Sequence, residues 1–528
     1  MENIVSKVKE QLPKFNNFLL NDFRKRQINN AIDFISESFK EAVKIIKTVK
    51  VEYLGYRIFT PEERFNIEIN ENIVNKSVNI KRNELILAGF DFLCNEKKYT
   101  VKLYMPYLFE DFLVINNTKY SPHFSFIEKL FSMVKDGISI KVTQSPLIFN
   151  NRNVSSIKSI DGKEYFDVIM TSKIHRKKSK RSKKEIDQTI IHYLLSKYGF
   201  YGTINLFGFT QEDMDFVENV DDNEEYEFFQ IKAPKKKDKK GGIYIKAKKE
   251  LLKNNEIFKR ILVNINYVLS AFKKYTLENI IGPYSADFFR FLLGKIINGR
   301  NVHKVMIIEY MNKHFHSLDY YLDNMIKETF RSEGIILNDI FDLLVYIFKN
   351  FDKIQHEFRN NNLYKKKVVV FNIILSKIII ESIYDNFYRF ENNNNTKREN
   401  DIKRAFKISP KRINAMYNMK NIRLNSAYYN DNILLSILSH VTKNFSSGIN
   451  HKKSGKGKSN VNLNSSYNYF HYSIPANESL IGFSSSNPTA SCIINPFAQI
   501  DENGCFIEGD YAKELRKMEK FLHIQYKK

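Results

Sequence analysis

The sequence predicts an α+β protein with several lobes, and three observations support this class. Apolar residues recur at helical spacing over residues 4–49, short alternating runs typical of strands fill residues 51–149, and long helical patterns occupy residues 247–358. The chain has 528 residues. This exceeds the length that one hydrophobic core usually supports, so we expect about two to four domains.

Within the strand-rich part, one hairpin is well marked. The run Phe112–Ile115 is apolar, and Asn116 and Asn117 follow it directly. Asparagine tolerates the positive φ angles of tight turns, so this pair predicts a two-residue hairpin loop. After a basic insertion, the pattern "IDQTIIHYLLSKYG" predicts a helix with Gly199 as its C-cap.

The most apolar stretch of the chain is "VVVFNIILSKIIIESIY", Val368–Tyr384. It contains Lys377 and Glu381, and it is shorter than the roughly 20 residues that a membrane-spanning helix needs. We therefore predict a buried amphipathic helix here and expect no membrane partner. The last part of the sequence, 424–528, has a mixed pattern with a loop rich in Gly, Ser and Lys.

The charge of the chain favours a polyanionic partner. There are 83 Lys and Arg residues against 59 Asp and Glu, a formal net charge of +24. Basic clusters gain affinity for nucleic acid by releasing counterions from its phosphates. Part of the lysine content reflects a Lys- and Asn-rich composition typical of AT-rich genomes. The basic runs Lys173–Lys184 and Lys232–Lys240 are therefore either nucleic-acid contacts or solvated loops.

Cysteine usage and the N-terminus point to a reducing compartment. Only three cysteines occur and none forms a CxxC pair, so we expect no disulfide framework and no zinc site. The N-terminal segment lacks the apolar core of a signal peptide. An intracellular protein is the expectation.

Two motifs that suggest ligand binding do not meet the requirements of their site. "GKGKS" at residues 455–459 lacks the first glycine of a phosphate-binding P-loop, because position 452 is lysine. His314 and His316 are not spaced as a zinc motif, so we expect ordinary helix-surface or interface histidines. The sequence shows no nucleophile–base pair or paired carboxylates, and no catalytic residue is predicted on this chain.

Four stretches, taken in order, resemble the β (second-largest) subunit of multisubunit RNA polymerases. "LYMPYLFEDFLVINNTKYS" (103–121) looks like that family's segment containing "GTFVINGTERV", and "VTQSPLIFNN" (142–151) looks like "RSPGVFF". "LLSILSHVTKNFSSGINHKKSGKGKSNVNLNSSYNYFHYS" (434–473) is similar to the segment with "GVSQVLNR" and "LSHLRR". "NPTASCIINPFAQIDENGCFIEGDYAKEL" (487–515) looks like "HPTHYGRVCPIETPEGPN" and the residues after it, without "ETPEG".

The resemblance implies the N-terminal half of a split β subunit, of the type found in jumbo bacteriophages. It implies a multi-lobed β-subunit-like fold with these parts: protrusion 1–155 and 355–430, lobe 156–354, and fork region 431–528. The chain would line the DNA channel and downstream fork of a DNA-directed RNA polymerase, a nucleotidyltransferase. The implied partners are the C-terminal half of the β-like subunit, β′-like subunits, the DNA template and the RNA transcript. Mg²⁺ at the active site of the assembly would be bound by a partner chain, since the family's "DFDGD" loop belongs to β′.

By the same resemblance, the nucleic-acid contacts would lie in the fork region. The predicted contacts are four lysines of a basic fork loop and two residues near a second fork loop (475–483): Lys452, Lys453, Lys456, Lys458, His471 and Asn477. The sequence departs from the family here, because Ser473-Ile474 replaces the Arg pair that follows "SH" in the family.

Two other interpretations stay open at this point. One is a stand-alone basic nucleic-acid-binding protein without enzymatic activity, such as a packaging, replication or virion factor. The other is an accessory subunit that recognises promoters. For the polymerase interpretation we expect the cytoplasm of the infected bacterial host, with packaging in the virion as the alternative.

Overall fold

The structure is a computed structural model, and it describes most of the chain in separate ranges. The described residues are 23–72, 85–106, 113–115, 118–122, 124–134, 137–142, 146–172, 188–220, 224–232, 242–270, 284–298, 303–318, 320–358, 362–369, 371–392, 399–406, 424–426, 441–444, 472–479, 491–494, 498–501 and 503–526.

Helices and strands are both abundant, which confirms the α+β class. The described helices are α1 Phe23–Val43, α2 Pro61–Asn72, α3 Ile190–Leu206, α4 Lys249–Asn254, α5 Glu256–Ser270, α6 Ala286–Asn298, α7 Lys304–Leu318, α8 Asn324–Arg331, α9 Ile340–Phe358, α10 Phe371–Asn392, α11 Glu399–Ala405, α12 Ser473–Asn477 and α13 Asp510–Tyr526. The described strands are β1 Val51–Ile58, β2 Leu85–Cys94, β3 Lys97–Pro106, β4 Leu113–Ile115, β5 Thr118–Pro122, β6 Phe124–Glu128, β7 Phe131–Val134, β8 Gly137–Lys141, β9 Pro146–Lys158, β10 Glu164–Ser172, β11 Met214–Val217, β12 Tyr226–Lys232, β13 Ile243–Lys248, β14 Lys366–Val369, β15 Leu424–Ser426, β16 Val441–Asn444, β17 Glu478–Ser479, β18 Ser491–Ile494, β19 Gln499–Ile500 and β20 Phe506–Ile507.

The chain divides into two compact units. Unit 1 comprises Met1–Leu130, Asp323–Thr329 and Glu357–Lys528, and unit 2 comprises Phe131–Leu322 and Phe330–His356. Unit 2 is thus almost entirely one insertion into unit 1. The predicted lobe, 156–354, overlaps this insertion, but its identity as a polymerase lobe stays a prediction.

The first core of unit 1 lies between two helices and a sheet. Strands β1, β2 and β3 form an antiparallel sheet in that order, and α1 packs against α10. The ring of Phe39 on α1 lies 5.0 Å from the rings of both Phe90 and Phe92 on β2. Phe92 in turn lies 4.8 Å from Phe406, after α11. Aromatic pairs at these separations add to the apolar area that they bury.

A helix interrupts the segment that the sequence predicts as entirely strand-rich. Helix α2 begins at Pro61, and Thr60 and Glu63 form a reciprocal cap around its first turn. The Thr60 amide donates to Glu63 Oε2 at 2.9 Å, and the Glu63 amide donates to Thr60 Oγ1 at 3.3 Å. This is a capping box with proline at the first helical position. The strand prediction for residues 61–72 was therefore wrong.

The predicted hairpin around Asn116 and Asn117 is confirmed by its flanking strands. Strands β4 and β5 pair antiparallel with Ile115 opposite Thr118, so two residues connect them. Strand β15, about 300 residues later in the chain, pairs with the other side of β5. The hairpin is thus part of a three-stranded sheet in unit 1.

A second sheet of unit 1 joins distant parts of the chain. Its strand order is β14-β6-β16-β18-β17, and β16 runs parallel to β6 while the other pairs are antiparallel. The apolar stretch 368–384 supplies both an element of this sheet and α10. Val368 and Val369 belong to β14, so the predicted helix is confirmed only from Phe371 onward.

Unit 2 combines two sheets with a group of helices. The sheets have strand orders β10-β9-β8-β7 and β11-β13-β12. Helix α5 packs on β10, and α6 packs between α3 and α7. The predicted long helices of residues 247–358 are confirmed in the described residues from Lys249 onward, but the prediction was wrong for Ala247 and Lys248, which belong to strand β13.

Helix α3 is interrupted at Gly199, the residue that the sequence predicts as a helix C-cap. Thr189 caps its start, with Oγ1 accepting the His192 amide at 3.1 Å. At Gly199 the backbone leaves the helical conformation, with φ 71° and ψ −174°. The helical path resumes after this kink and continues to Leu206. Gly199 therefore ends the first helical segment, as predicted, without ending the element.

Among the described helices, none is both long enough and apolar enough to cross a membrane. Of the cysteines, Cys94 and Cys505 are free thiols.

Candidate functional site

One part of unit 1 is built from residues 362–369, 472–479, 498–501 and 503–508, and it contains Asn477, one of the six predicted nucleic-acid contacts. The fork-loop lysines Lys452, Lys453, Lys456 and Lys458, and also His471, lie outside the described residues. Their contacts with nucleic acid stay a prediction. Asn477 lies within the described residues, and the candidate site is therefore described around it.

Asn477 is the last residue of α12, a five-residue helix. Polar side chains at the two ends of this helix hold it in place. The Asn477 side chain is 2% exposed and its Nδ2 donates to the Ser473 carbonyl at 2.8 Å. Ser473 Oγ accepts the Leu363 amide at 2.8 Å. In this structure Asn477 therefore stabilises the short helix from inside. Its predicted contact with nucleic acid is not tested by this placement.

Replacing Ser473 by alanine is expected to destabilise this anchor by about 1 to 3 kcal/mol, because the buried Leu363 amide loses its acceptor. Hydrogen exchange of peptides covering 362–369 and 472–479 in the full chain would measure the loss of protection. Ser38→Ala is the matched control, since the buried Ser38 hydroxyl donates only to the carbonyl of Phe34 in its own helix. Equal protection in the two variants would contradict the anchoring role of Ser473.

Two tyrosines and an ion pair lie beside this anchor. The rings of Tyr364 and Tyr472 are 5.8 Å apart. The Tyr472 hydroxyl donates to Glu508 Oε1 at 3.2 Å, and Arg516 Nη1 lies 3.3 Å from Glu508 Oε2. Burial, together with the Glu508 carboxylate, raises the pKa of Tyr472 to about 12. Tyr472 therefore stays protonated at neutral pH and acts as a donor. Sites that bind single-stranded nucleic acids commonly combine aromatic rings with a guanidinium group.

A tight turn connects this cluster to β14. Asp501 Oδ1 accepts the amides of Asn503 at 2.9 Å and Cys505 at 2.7 Å, and Gly504 has φ 84°. The Gly504 carbonyl accepts the Val368 amide at 2.7 Å. Lys367 and Cys505 form an antiparallel bridge. The turn at Asp501–Cys505, which belongs to the fourth β-like stretch (487–515), is thus attached directly to β14.

Unit 2 contains a polar cluster that the sequence analysis missed. Asp215, which is buried, accepts hydrogen bonds from the hydroxyls of Tyr201 and Tyr284, both at 2.8 Å, and from Gln211 Nε2 at 3.0 Å. The two tyrosine rings stack at 4.9 Å. Burial raises the pKa of both tyrosines, that of Tyr201 to about 12. Tyr284 lies 69 positions from Asp215, so local spacing does not predict this cluster. Its hydrogen bonds are satisfied, which indicates a structural role.

Acid is expected to destabilise unit 2 through His192. Burial lowers the pKa of His192 to about 3, whereas an unfolded histidine titrates near 6.5. The unfolded state then binds a proton below about pH 6.5 that the folded state rejects, so stability falls by about 1.4 kcal/mol per pH unit down to about pH 3. Urea unfolding at about pH 7 and about pH 5 would measure this loss. His192→Gln should flatten the dependence, and an unchanged pH slope would contradict the assignment.

Comparison with known proteins identifies the family. A search of curated proteins found no match to the chain. A protein-family model described as non-virion RNA polymerase subunit matches residues 1–521. The chain belongs to this family. The non-virion RNA polymerase subunit described here is therefore part of a viral, multisubunit RNA polymerase, which confirms the coarser part of the prediction from sequence.

The described residues of this polymerase subunit contain no candidate metal site. Within them, no group of three or more His, Cys, Asp and Glu side chains could hold a metal ion. His314 and His316 lie on α7, where their Nε2 atoms are 3.3 Å from the Tyr193 hydroxyl and 3.2 Å from the Tyr320 hydroxyl. The described residues therefore do not form a site that fits the Mg²⁺ ions of a polymerase active centre.

Proposed function

We propose that the chain is the N-terminal half of a split β-like subunit of a DNA-directed RNA polymerase of a jumbo bacteriophage. In this proposal it walls one side of the DNA channel and helps to keep the downstream fork open. The observation that carries the proposal is the family match over residues 1–521. The order of the four β-like stretches supplies the finer assignment.

The chain path supports this assignment. The β subunit to which the sequence is similar has a lobe inserted in its protrusion, and here unit 2 is inserted between residues 130 and 357 of unit 1. The five-stranded sheet draws β6 from the predicted first protrusion part, β14 from the second, and β16 to β18 from the predicted fork region. A fork region held by the protrusion sheet would be fixed in position beside the nucleic acid.

The chemistry of the whole assembly would be template-directed phosphodiester formation. Mg²⁺ on a partner chain would activate the attacking hydroxyl and stabilise the leaving pyrophosphate. This chain would bind backbone phosphates through basic side chains, which fixes position without reading sequence. Lys452, Lys453, Lys456, Lys458, His471 and Asn477 are the proposed contacts in the fork region. The proposed protein partners are the C-terminal β-like half and β′-like subunits.

The family name also bears on where the enzyme acts. A non-virion polymerase is one that is not packaged in the particle. We therefore place the protein in the cytoplasm of the infected bacterial host, synthesised during infection, and set aside virion packaging.

The test is a tagged pull-down of the chain from infected cells, with mass spectrometry and a nucleotide-incorporation assay on the eluate. We expect recovery of a "DFDGD"-bearing chain and a C-terminal β-like half, together with template-dependent RNA synthesis. Purified virions would be the control and should lack the chain. Recovery of the chain alone, without synthesis, would contradict the proposal and favour a stand-alone nucleic-acid-binding protein.

A further inference from the structure

The sheet formed by β1, β2 and β3 in unit 1 has one covered and one exposed face. The covered face carries the buried rings of Phe90 and Phe92, which contact α1. On the opposite face, the pairing register places Arg57 of β1, Gly89 of β2 and Lys102 of β3 in one cross-strand row. Arg57 and Lys102 are both exposed. The face that carries this row is called the outer face below.

Three layers are stacked on the outer face. The ring of Phe59 lies on the backbone of Gly89, since a Cβ atom at Gly89 would be 2.6 Å from Phe59 Cε2. The Arg57 guanidinium lies over the Phe59 ring, with its Cζ 4.3 Å from the ring centroid. A guanidinium is planar and stacks favourably on an aromatic face. From the sheet outward, the layers are therefore the Gly89 backbone, the Phe59 ring and the Arg57 guanidinium.

The outermost layer is held at one edge and accessible on its outer side. Arg57 Nη1 donates to Glu63 Oε1 at 2.9 Å, and Glu63 is itself held by the Thr60 amide in the capping box of α2. The Arg57 side chain is nevertheless 54% exposed. Two residues earlier on the same face, a Cβ atom at Gly55 would meet no atom within 4 Å. The space beside the guanidinium is therefore open.

Ammonium groups lie on the same face of the sheet as this guanidinium. Lys98 and Lys102 are exposed, and they occupy alternate positions of β3 with Thr100 between them. Neighbouring strands lie about 4.8 Å apart, so the backbones of Arg57 and Lys102 are separated by about 10 Å across β2. Lys98 Nζ lies 3.0 Å from Asp91 Oδ2, which holds it on this face. The outer face thus combines a flat cation with two ammonium groups.

We propose that the outer face binds single-stranded nucleic acid, with one base stacked on the Arg57 guanidinium and the adjoining phosphates bound by Lys98 and Lys102. The inference rests on the proposed function, in which this chain meets unpaired template and transcript. Unpaired bases stack on guanidinium planes as they do on aromatic rings. Ammonium groups complement the charge of the phosphates and bind them without reading sequence. The outer face belongs to β1–β3, and it is separate in sequence from the predicted fork contacts 452–477.

The test measures binding of short fluorescent oligonucleotides to the full chain over a series of salt concentrations. Single-stranded RNA, single-stranded DNA and a duplex are compared. Arg57→Lys keeps the positive charge and removes the plane. We expect it to weaken single-strand binding at least about 5-fold, which corresponds to the lower end of the contribution of one stacked base. The slope of log K against log salt should stay unchanged, because the number of charges is the same.

The matched control is Arg389→Lys. Arg389 on α10 is also exposed and also paired with a carboxylate, since its Nη2 lies 3.6 Å from Asp385 Oδ2. This variant should bind as the unmodified chain does. Lys102→Met, in contrast, should lower the slope by about 0.7 for a single strand. Equal binding by Arg57→Lys and the unmodified chain would overturn the proposal, and so would equal weakening by the two arginine variants or equal affinity for duplex and single strand.

A photo-cross-link on the unmodified polymerase complex gives an answer that does not depend on the folding of any variant. Single-stranded oligonucleotides that carry 4-thiouridine or 4-thiothymidine are irradiated on the complex, and the cross-linked peptides are identified by mass spectrometry. We expect cross-links in peptides covering 51–58 and 97–106, and the RNA and DNA probes show which strand occupies the face. Cross-links to this chain that avoid both peptides would overturn the proposal.

Nucleotide incorporation by the complex keeps this inference distinct from the proposed function. An active complex, together with single-strand binding that does not depend on Arg57, would reject the outer-face site and leave the polymerase assignment standing. A chain recovered without RNA synthesis, whose single-strand binding still depends on Arg57, would support the site and reject the polymerase assignment.

Discussion

Replacing Arg260 by alanine is expected to destabilise unit 2 by about 3 to 5 kcal/mol. Arg260 Nε lies 3.3 Å from Asp167 Oδ1, and its Nη2 lies 2.8 Å from Asp352 Oδ2. The Arg260 and Asp167 side chains are 12% and 8% exposed. Removing the guanidinium therefore leaves a buried carboxylate on β10 without its cation, and it also removes the ion pair between α5 and α9. Hydrogen exchange of peptides covering 164–172 and 256–270 in the full chain would measure the loss.

Two further variants separate the two causes of the lost stability, the exposed ion pair with Asp352 and the unpaired buried charge of Asp167. Asp352→Asn should cost at most about 1 kcal/mol, because Asp352 is 64% exposed and exposed pairs contribute little. Arg260→Met combined with Asp167→Asn should cost less than Arg260→Ala alone, since no unpaired buried charge remains. A double variant that is as unstable as the single one would contradict the unpaired buried charge as the cause, because methionine keeps the packing of the arginine stem.

The elements that the sequence predicted correctly depend on local chemistry. The hairpin at Asn116 and Asn117 follows from an apolar run and a two-residue turn, and the pairing of Ile115 with Thr118 confirms it. The break at Gly199 follows from the freedom of glycine at positive φ. Helix α2 could also have been predicted, because "TPEE" at residues 60–63 contains the capping box, but the β-rich surroundings hid this signal.

The elements that the sequence did not predict depend on long-range pairing. Val368 and Val369 begin the apolar stretch that the sequence predicts as a helix, yet β6 lies beside them and gives them strand partners. A short apolar run is ambiguous between strand and helix until its neighbour is known. The paired strand is more than 200 residues away in sequence, so no window of local pattern contains it.

The candidate site around Asn477 also depends on residues that are far apart in the sequence, so local patterns could not predict it. The bond between Ser473 and Leu363 joins residues 110 positions apart, and the pairing of Lys367 with Cys505 spans a similar distance. Family resemblance predicted a polymerase subunit because four ordered stretches between residues 103 and 515 are similar to the β subunit, and the family match over residues 1–521 confirms the prediction of a polymerase subunit. It could not predict which side chains of the predicted fork region pack inward, as Asn477 does, because packing is decided by three-dimensional neighbours.

The second large effect is expected at Gly199, where alanine should destabilise unit 2 by about 2 to 5 kcal/mol. Its backbone angles, φ 71° and ψ −174°, lie in a region that is nearly exclusive to glycine and costs other residues about 1 to 3 kcal/mol. A Cβ atom there would also lie 2.7 Å from the Tyr284 carbonyl oxygen, and such overpacking typically costs about 1 to 3 kcal/mol more.

The carbonyl of Tyr284 cannot retreat freely, because the hydroxyl of the same residue donates to Asp215 Oδ1 at 2.8 Å and also lies 3.1 Å from the Phe216 carbonyl oxygen. Gly208→Ala is the matched control: Gly208 has φ 87° and no atom within contact distance of an added Cβ. It should show the backbone cost alone, about 1 kcal/mol. Hydrogen exchange of peptides covering 190–206 and 284–298 would report both variants. If the two glycine variants lost protection equally, the clash with Tyr284 would contribute nothing, and the kink in α3 would be a matter of backbone conformation only.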